Sequence, residues 1–151
     1  MLELRGFEVV KDDKRKTDVE IHLPTRADRG SAGYDFYCTI DKEVQPNEIV
    51  KIWTDVKAYM GEDEVLLLNV RSSMGGKFML ANTIGIIDSS YYGNDGNDGN
   101  VGFFLKNISN EVQTVHVGDR IGQGIFTKYL TVDNDVVLSD KRTGGFGSSG
   151  H

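Results

Sequence analysis

The chain is expected to fold as an all-β domain, a sandwich or barrel, and three observations predict it. Its 151 residues include eighteen glycines and two prolines, which break the sequence at short intervals. Between the breaks lie short runs rich in β-branched and aromatic residues. No stretch holds apolar residues at helical spacing over three turns. Short strands punctuated in this way point to a sandwich or barrel and away from a helical bundle.

In chain order the expected strands are Val19–Leu23, Glu48–Trp53, Val65–Val70, Val101–Leu105, Val112–Val117 and Ile121–Tyr129. A further apolar-rich stretch, Tyr34 to Ile40, follows the small residues Gly30-Ser31-Ala32-Gly33 and contains the single cysteine, Cys38. One helical turn is expected after Arg71, where Ser72, Ser73 and Met74 precede two glycines. The patch Gly93-Asn94-Asp95-Gly96-Asn97-Asp98-Gly99-Asn100 has the calcium-loop residue types but lacks the closing glutamate of an EF-hand, and its triplets are too few for a calcium β-roll. Its Asp-Gly and Asn-Asp steps predict a long hairpin loop with residues at positive φ.

The length suits one domain, residues 1–151, with 141–151 expected as a flexible glycine-rich arm. Seventeen basic against twenty-three acidic residues give a net charge of −6. That balance argues against a protein gripping nucleic acid through a broad basic face, yet leaves room for a small anionic ligand in a local basic pocket. One cysteine excludes an internal disulfide and suits a reducing compartment; in its apolar setting Cys38 reads as a buried thiol. There is no apolar signal region and no run long enough to span a membrane, so a cytoplasmic protein is expected.

Five segments carry groups that could do chemistry, and each has a plainer reading beside it. Pro24 to Asp35 brings a carboxylate to the start of an apolar run, where it needs a partner or water; the segment is as readily a structural turn. Val70 to Lys77 sets Arg71, Ser72 and Ser73 at a short helical turn, an anion site or a serine-capped turn with a surface arginine. Asn82 to Gly93 places Asp88 after an apolar run and Tyr91 three residues on, a pocket carboxylate with an aromatic neighbour or an Asp that merely starts a turn. Gly118 to Gln123 offers Arg120 and the Gln123 amide, or a hairpin turn with a surface ion pair. The last, Arg142 to Gly150, combines a guanidinium, the Phe146 ring and four glycines, a lid for a phosphorylated base or a frayed tail ending in a cloning scar. The three histidines and Cys38 have no zinc spacing, there is no Walker lysine, and no Ser-His-Asp order suggests acyl transfer.

In this order and at these separations, the five segments resemble the five motifs of the trimeric dUTP pyrophosphatases (dUTPases), from Pro24 to Gly150. The resemblance implies a jelly-roll-like β fold, a homotrimer with shared active sites, and magnesium-dependent hydrolysis of dUTP to dUMP and pyrophosphate. Asp88 would be the base that activates the water attacking the α-phosphorus. Tyr91 would pack on the deoxyribose and exclude a 2′-hydroxyl. The hairpin from Asn82 to Ile87, through Gly85, would read uracil. Arg71, Ser72, Ser73 and Gln123 would bind phosphate oxygens. Arg142, Phe146, Gly147 and Ser148 would close the site from a neighbour's arm. No residue would ligate magnesium directly: the triphosphate and water would hold it, with Asp35 a support behind them. Tyr92 departs from the polar or basic residue many members carry there, and the Gly93–Asn100 loop is longer than usual. Two other readings use the same fold, a dCTP deaminase and a regulatory protein that binds a protein partner. The motif Gly85-Ile86-Ile87-Asp88-Ser89-Ser90-Tyr91 fits the pyrophosphatase better than the deaminase.

Overall fold

The computed structural model describes residues 4–140. Within them the chain is all-β, with eleven strands, three single 3₁₀ turns and no α-helix. The strands are β1 (Gly6–Val9), β2 (Tyr34–Tyr37), β3 (Lys42–Val44), β4 (Ile49–Trp53), β5 (Val56–Tyr59), β6 (Glu64–Asn69), β7 (Phe78–Leu80), β8 (Gly85–Asp88), β9 (Gly102–Asn107), β10 (Gln113–Val115) and β11 (Arg120–Lys128). All pairings are antiparallel. One sheet runs β2-β11-β6-β8 and a second β4-β9-β7, while β1-β5 and β3-β10 form two-stranded ribbons.

The two larger sheets enclose one core. Alternation explains which residues enter it: in β4, Val50 and Ile52 turn inward while Ile49 and Lys51 are exposed. Phe36 and Phe103, one from each sheet and both wholly buried, meet with ring centroids 5.2 Å apart. Leu66, Leu105 and Ile121 complete the centre. The long β11 lies between β2 and β6, and its glycines make room for these rings: a Cβ on Gly122 would stand 2.2 Å from Phe103.

Five expected runs are strands, with ends shifted by one or two residues. The sixth, Val19–Leu23, is irregular; an isolated bridge, Thr25 to Asp35, lies two residues beyond it, and within it the His22 ring packs on Tyr37 of β2 at 5.2 Å. Pro24 follows it directly and has no N–H for a ladder, and Arg15 donates instead to the Val19 carbonyl. The 3₁₀ turn Ser72–Met74 falls where one helical turn was expected. The Gly93–Asn100 segment has the expected positive φ at Gly93, Gly96, Asp98 and Gly99, but it is no hairpin loop. It joins β8 to β9, which lie in different sheets, and it is folded inward: Asn94, Asp98 and Asn100 are 6%, 4% and 0% exposed.

That inward packing has two anchors. Asp55 is wholly buried at φ 59°, a left-handed conformation that aspartate tolerates. Its carboxylate accepts from the Lys16 and Thr17 backbone N–H groups, the Thr17 hydroxyl and the Asn100 amide. Asp98 takes a 2.7 Å ion pair from Lys57 and the Lys11 N–H. Burial raises the Asp98 carboxyl, but the hydrogen bonds from Lys57 and Lys11 outweigh it and hold the group below its ordinary value. Tyr92 hangs on the same network, donating to Glu8 at 2.6 Å beneath the Lys57 ammonium. The Glu8 hydrogen bond, with burial behind it, pushes the Tyr92 phenol up to about 12.

Candidate active site

The chain from β7 to β8 crosses between sheets, since β7 pairs with β9 and β8 with β6. Asn82 to Ile84 therefore form a corner and not the arm of a hairpin. Thr83 turns it at φ 66°, with its N–H on the Leu80 carbonyl. Such a corner leaves a gap between sheets, and a cavity of about 340 Å³ lies there. Leu68, Leu80, Ile87 and Phe104 give it apolar walls, and Asn82 and Gly85 lie along one side. β8 can lie this close to β6 because residue 85 is glycine: a Cβ there would sit 2.9 Å from that of Leu68. An apolar slot with one side-chain amide is the usual form of a site for a small heterocycle.

Asp88 ends β8 opposite Val65, three residues or about 10 Å of extended chain beyond Gly85. It is exposed. The cavity wall stops at Ile87, so Asp88 and Tyr91 are next along the chain and not part of its lining. Tyr91, on the 3₁₀ turn Ser89–Tyr91, is only 3% exposed. Its hydroxyl donates to the Asn100 carbonyl at 2.6 Å and accepts from the Asn97 amide at 2.9 Å.

A second group gathers at the other end of β6. Asp35 on β2 faces Gln123 on β11, which faces Asn69 at the end of β6. Arg71, two residues on, donates through Nε to Asp35 Oδ1 at 3.0 Å and through Nη1 to the Ser73 hydroxyl at 3.3 Å. Arg120 approaches the other Asp35 oxygen at 3.7 Å. Asp35 is 5% exposed, so the two guanidinium groups meet its need for a partner. A cavity of about 490 Å³ opens beside them, lined by Arg71, Ser73, Lys77, Gln113 and Arg120. Ser72, between Arg71 and Ser73, opens the 3₁₀ turn. Three residues make no useful helix dipole, so anion affinity here rests on guanidinium and hydroxyl groups. Gln123 packs on Gly33, where a Cβ would stand 2.2 Å from its Oε1.

Of the expected residues, Asn82, Gly85 and Ile87 share the first cavity, with Asp88 and Tyr91 beside it. Arg71 and Ser73 share the second, with Ser72 between them in the chain but not in its lining, and with Asp35 and Gln123 adjacent. Arg142, Phe146, Gly147 and Ser148 lie outside the described residues. Within one chain the two groups stay apart. Asp35 and Asp88 occupy the opposite edge strands β2 and β8, three strand spacings across and four residues along, about 20 Å. The sequence reading missed Phe104, held edge-on by Trp53 at 5.4 Å, and the two partners of the Tyr91 hydroxyl, the Asn97 amide that donates to it and the Asn100 carbonyl that accepts from it. A lone aromatic in a strand and asparagines in a loop gave no signal before the fold was known.

Among the described residues no three His, Cys, Asp or Glu side chains gather to cage a metal. Single carboxylates beside an anion pocket suit magnesium, which commonly keeps its waters and rides on phosphate oxygens. No helix among the described residues is long and apolar enough to cross a membrane.

A family model described as dUTPase matches residues 19–150. The chain is 39% identical over 152 residues to the deoxyuridine 5′-triphosphate nucleotidohydrolase of Lactococcus lactis subsp. lactis (strain IL1403), covering 99% of each chain. To the protein of that name from Haemophilus influenzae (strain PittEE) it is 35% identical, covering 87% of this chain and 89% of the other. Among solved structures, the dUTPase from Streptococcus mutans superposes with a TM-score of 0.75 at 36% identity, over 85% of this chain and 98% of that one. The dUTPase from phage phi11 of S. aureus, described as showing a species-specific insert, superposes at 0.68 and 21% identity over 91% and 97%, a likeness of fold.

Proposed function

The chain belongs to the dUTPase family, and on that premise we propose that it is a dUTP diphosphatase whose active site is completed by other copies of the chain. One observation carries the reading. The apolar slot with Asn82 and Gly85 along it leads along β8 to Asp88, so base recognition and a carboxylate lie a nucleotide's length apart on one strand.

Uracil would enter the slot as a flat heterocycle, its polar edge meeting the Asn82 amide and the backbone near Gly85 and Ile87, and a 5-methyl group is expected to be refused at the apolar walls. Tyr91 takes the deoxyribose. Asp88 accepts a proton from a water molecule as the water oxygen bonds to the α-phosphorus. The bond from that phosphorus to the bridging oxygen breaks, and pyrophosphate leaves. Arg71, Ser72, Ser73 and Gln123 hold phosphate oxygens, with Asp35 orienting Arg71. Magnesium, when bound with the triphosphate, would supply positive charge near the departing group, with Asp35 a support behind it. Arg142, Phe146, Gly147 and Ser148, outside the described residues, would add contacts to phosphate and base.

The distance between the two groups supports sharing. A triphosphate cannot bridge about 20 Å, so Asp88 of one copy would meet Arg71 of another. The segment beyond β11 also leaves Leu130 and Leu138 exposed at 96% and 98%, apolar surface that a second copy would cover. A homotrimer is the assembly we propose, acting on the cytoplasmic nucleotide pool and so keeping uracil out of DNA while supplying dUMP.

The test is pyrophosphate release from dUTP, dTTP, dCTP and UTP, each with magnesium and with a chelator. Turnover of dUTP alone, lost on chelation, is expected. Ammonia release from dCTP would point to the deaminase, and no turnover of any nucleotide would leave a binding fold without catalysis.

A further inference from the structure

We propose that the Gly93–Asn100 segment is a brace for Tyr91, and that Asn97 within it is a positioning residue for discrimination between deoxyribose and ribose. This rests on the reading of Tyr91 as the sugar wall of a dUTPase.

Steric exclusion of one hydroxyl demands a wall that does not yield, because a swing of about 1 Å at a ring suffices to change how a bound group is positioned. A tyrosine tethered only through its Cβ can pivot about its side-chain torsions. Here the far end of the ring is held as well. The Tyr91 hydroxyl donates to the Asn100 carbonyl at 2.6 Å and accepts from Asn97 Nδ2 at 2.9 Å.

Both partners are themselves fixed. Asn97 Oδ1 accepts from the Gly99 N–H and from Asn94 Nδ2, each at 3.0 Å. Asn100 is wholly buried, its amide donating to Asp55 at 2.8 Å and its Oδ1 accepting from the Asp55 N–H at 2.9 Å. Asp98 is tied to Lys57 and to the Lys11 N–H. The segment also presses on the turn itself: a Cβ on Gly99, at φ 79°, would stand 2.5 Å from the Tyr91 carbonyl oxygen. The segment that reads in sequence as a long hairpin loop is thus a packed back-stop, and its Asn97 side chain reaches the Tyr91 hydroxyl.

The experiment compares kcat/KM for UTP and dUTP in the full-length protein and its Asn97→Ala variant. The UTP-to-dUTP ratio should rise about tenfold, the worth of one lost hydrogen bond, with kcat for dUTP within about twofold of wild type. Asn97→Ser serves as a second variant. A serine hydroxyl can still accept from the Gly99 N–H two residues on, but is too short to reach Tyr91, so the same rise is expected with the local turn kept. Tyr91→Phe removes the bond from its other end; in that background Asn97→Ala should leave the ratio unchanged. A ratio unmoved in both Asn97 variants overturns the proposal, even if their melting temperatures fall. Absence of dUTP turnover in the wild-type protein would instead overturn the functional reading beneath it.

Discussion

Asp88 is a single exposed carboxylate at the end of an edge strand, and its proposed role depends on where it stands. If it takes the proton from the attacking water, Asp88→Asn keeps the shape and hydrogen-bonding reach of the side chain but not its basicity. Turnover of dUTP should fall by about 10²–10⁴-fold, while binding of a non-hydrolysable dUTP analogue, followed by calorimetry, changes little. Activity near wild type would assign the base elsewhere. At this scale the candidate residues were legible in the sequence only together. Arg71, Ser73, Asn82 and Asp88 each have a plainer reading within their own segment, and it is the order and separation of the five segments that singles them out. What was hidden is how they are held: Asp35 between Arg71 and Arg120, or the Tyr91 hydroxyl between Asn97 and Asn100, are pairings of residues brought together by the fold.

Among the elements, strands with marked β-branched and apolar content, such as β4, β6 and β11, could be read directly. β1, β3, β5 and β7 are three or four residues long and take their partners from distant sequence, so no window contains their signal. The 93–100 segment shows the same limit in reverse. Its composition describes the local φ angles correctly but says nothing of Asp55 and Lys57, which draw it inward. The Lys57–Asp98 pair has a consequence for acid stability. Asp98 is held below its unfolded value of 3.8, so its contribution is complete above that value and is lost as pH falls through the lowered one. Asp98→Asn leaves the buried Lys57 ammonium without its carboxylate and should lower the melting temperature at neutral pH. The gap from wild type should narrow as the buffer is taken from about pH 5 to about pH 2. A gap constant over that range would remove Asp98 from the acid response.

For the molecule as a whole, one core binds the two larger sheets together, and that core fixes where β8 and β2 lie. They are the two edges of a single four-stranded sheet, which keeps Asp35, and the Arg71 guanidinium bonded to it, about 20 Å from Asp88 within one chain; in the proposed reading Asp88 and Arg71 act from different copies. The sequence carried both groups but not the distance between them, because strand order is set by pairing across the fold. The most direct test mixes two inactive variants, Asp88→Asn and Arg71→Ala, after unfolding and refolding them together. If sites are shared, a copy carrying Arg71→Ala lends its Asp88 to a copy carrying Asp88→Asn, which lends its Arg71 in return. Activity should return to about a quarter of wild type in an equal mixture of a cyclic assembly. No recovery, with mixed assemblies verified by mass, would mean that each chain works alone and that the account of a shared site is wrong.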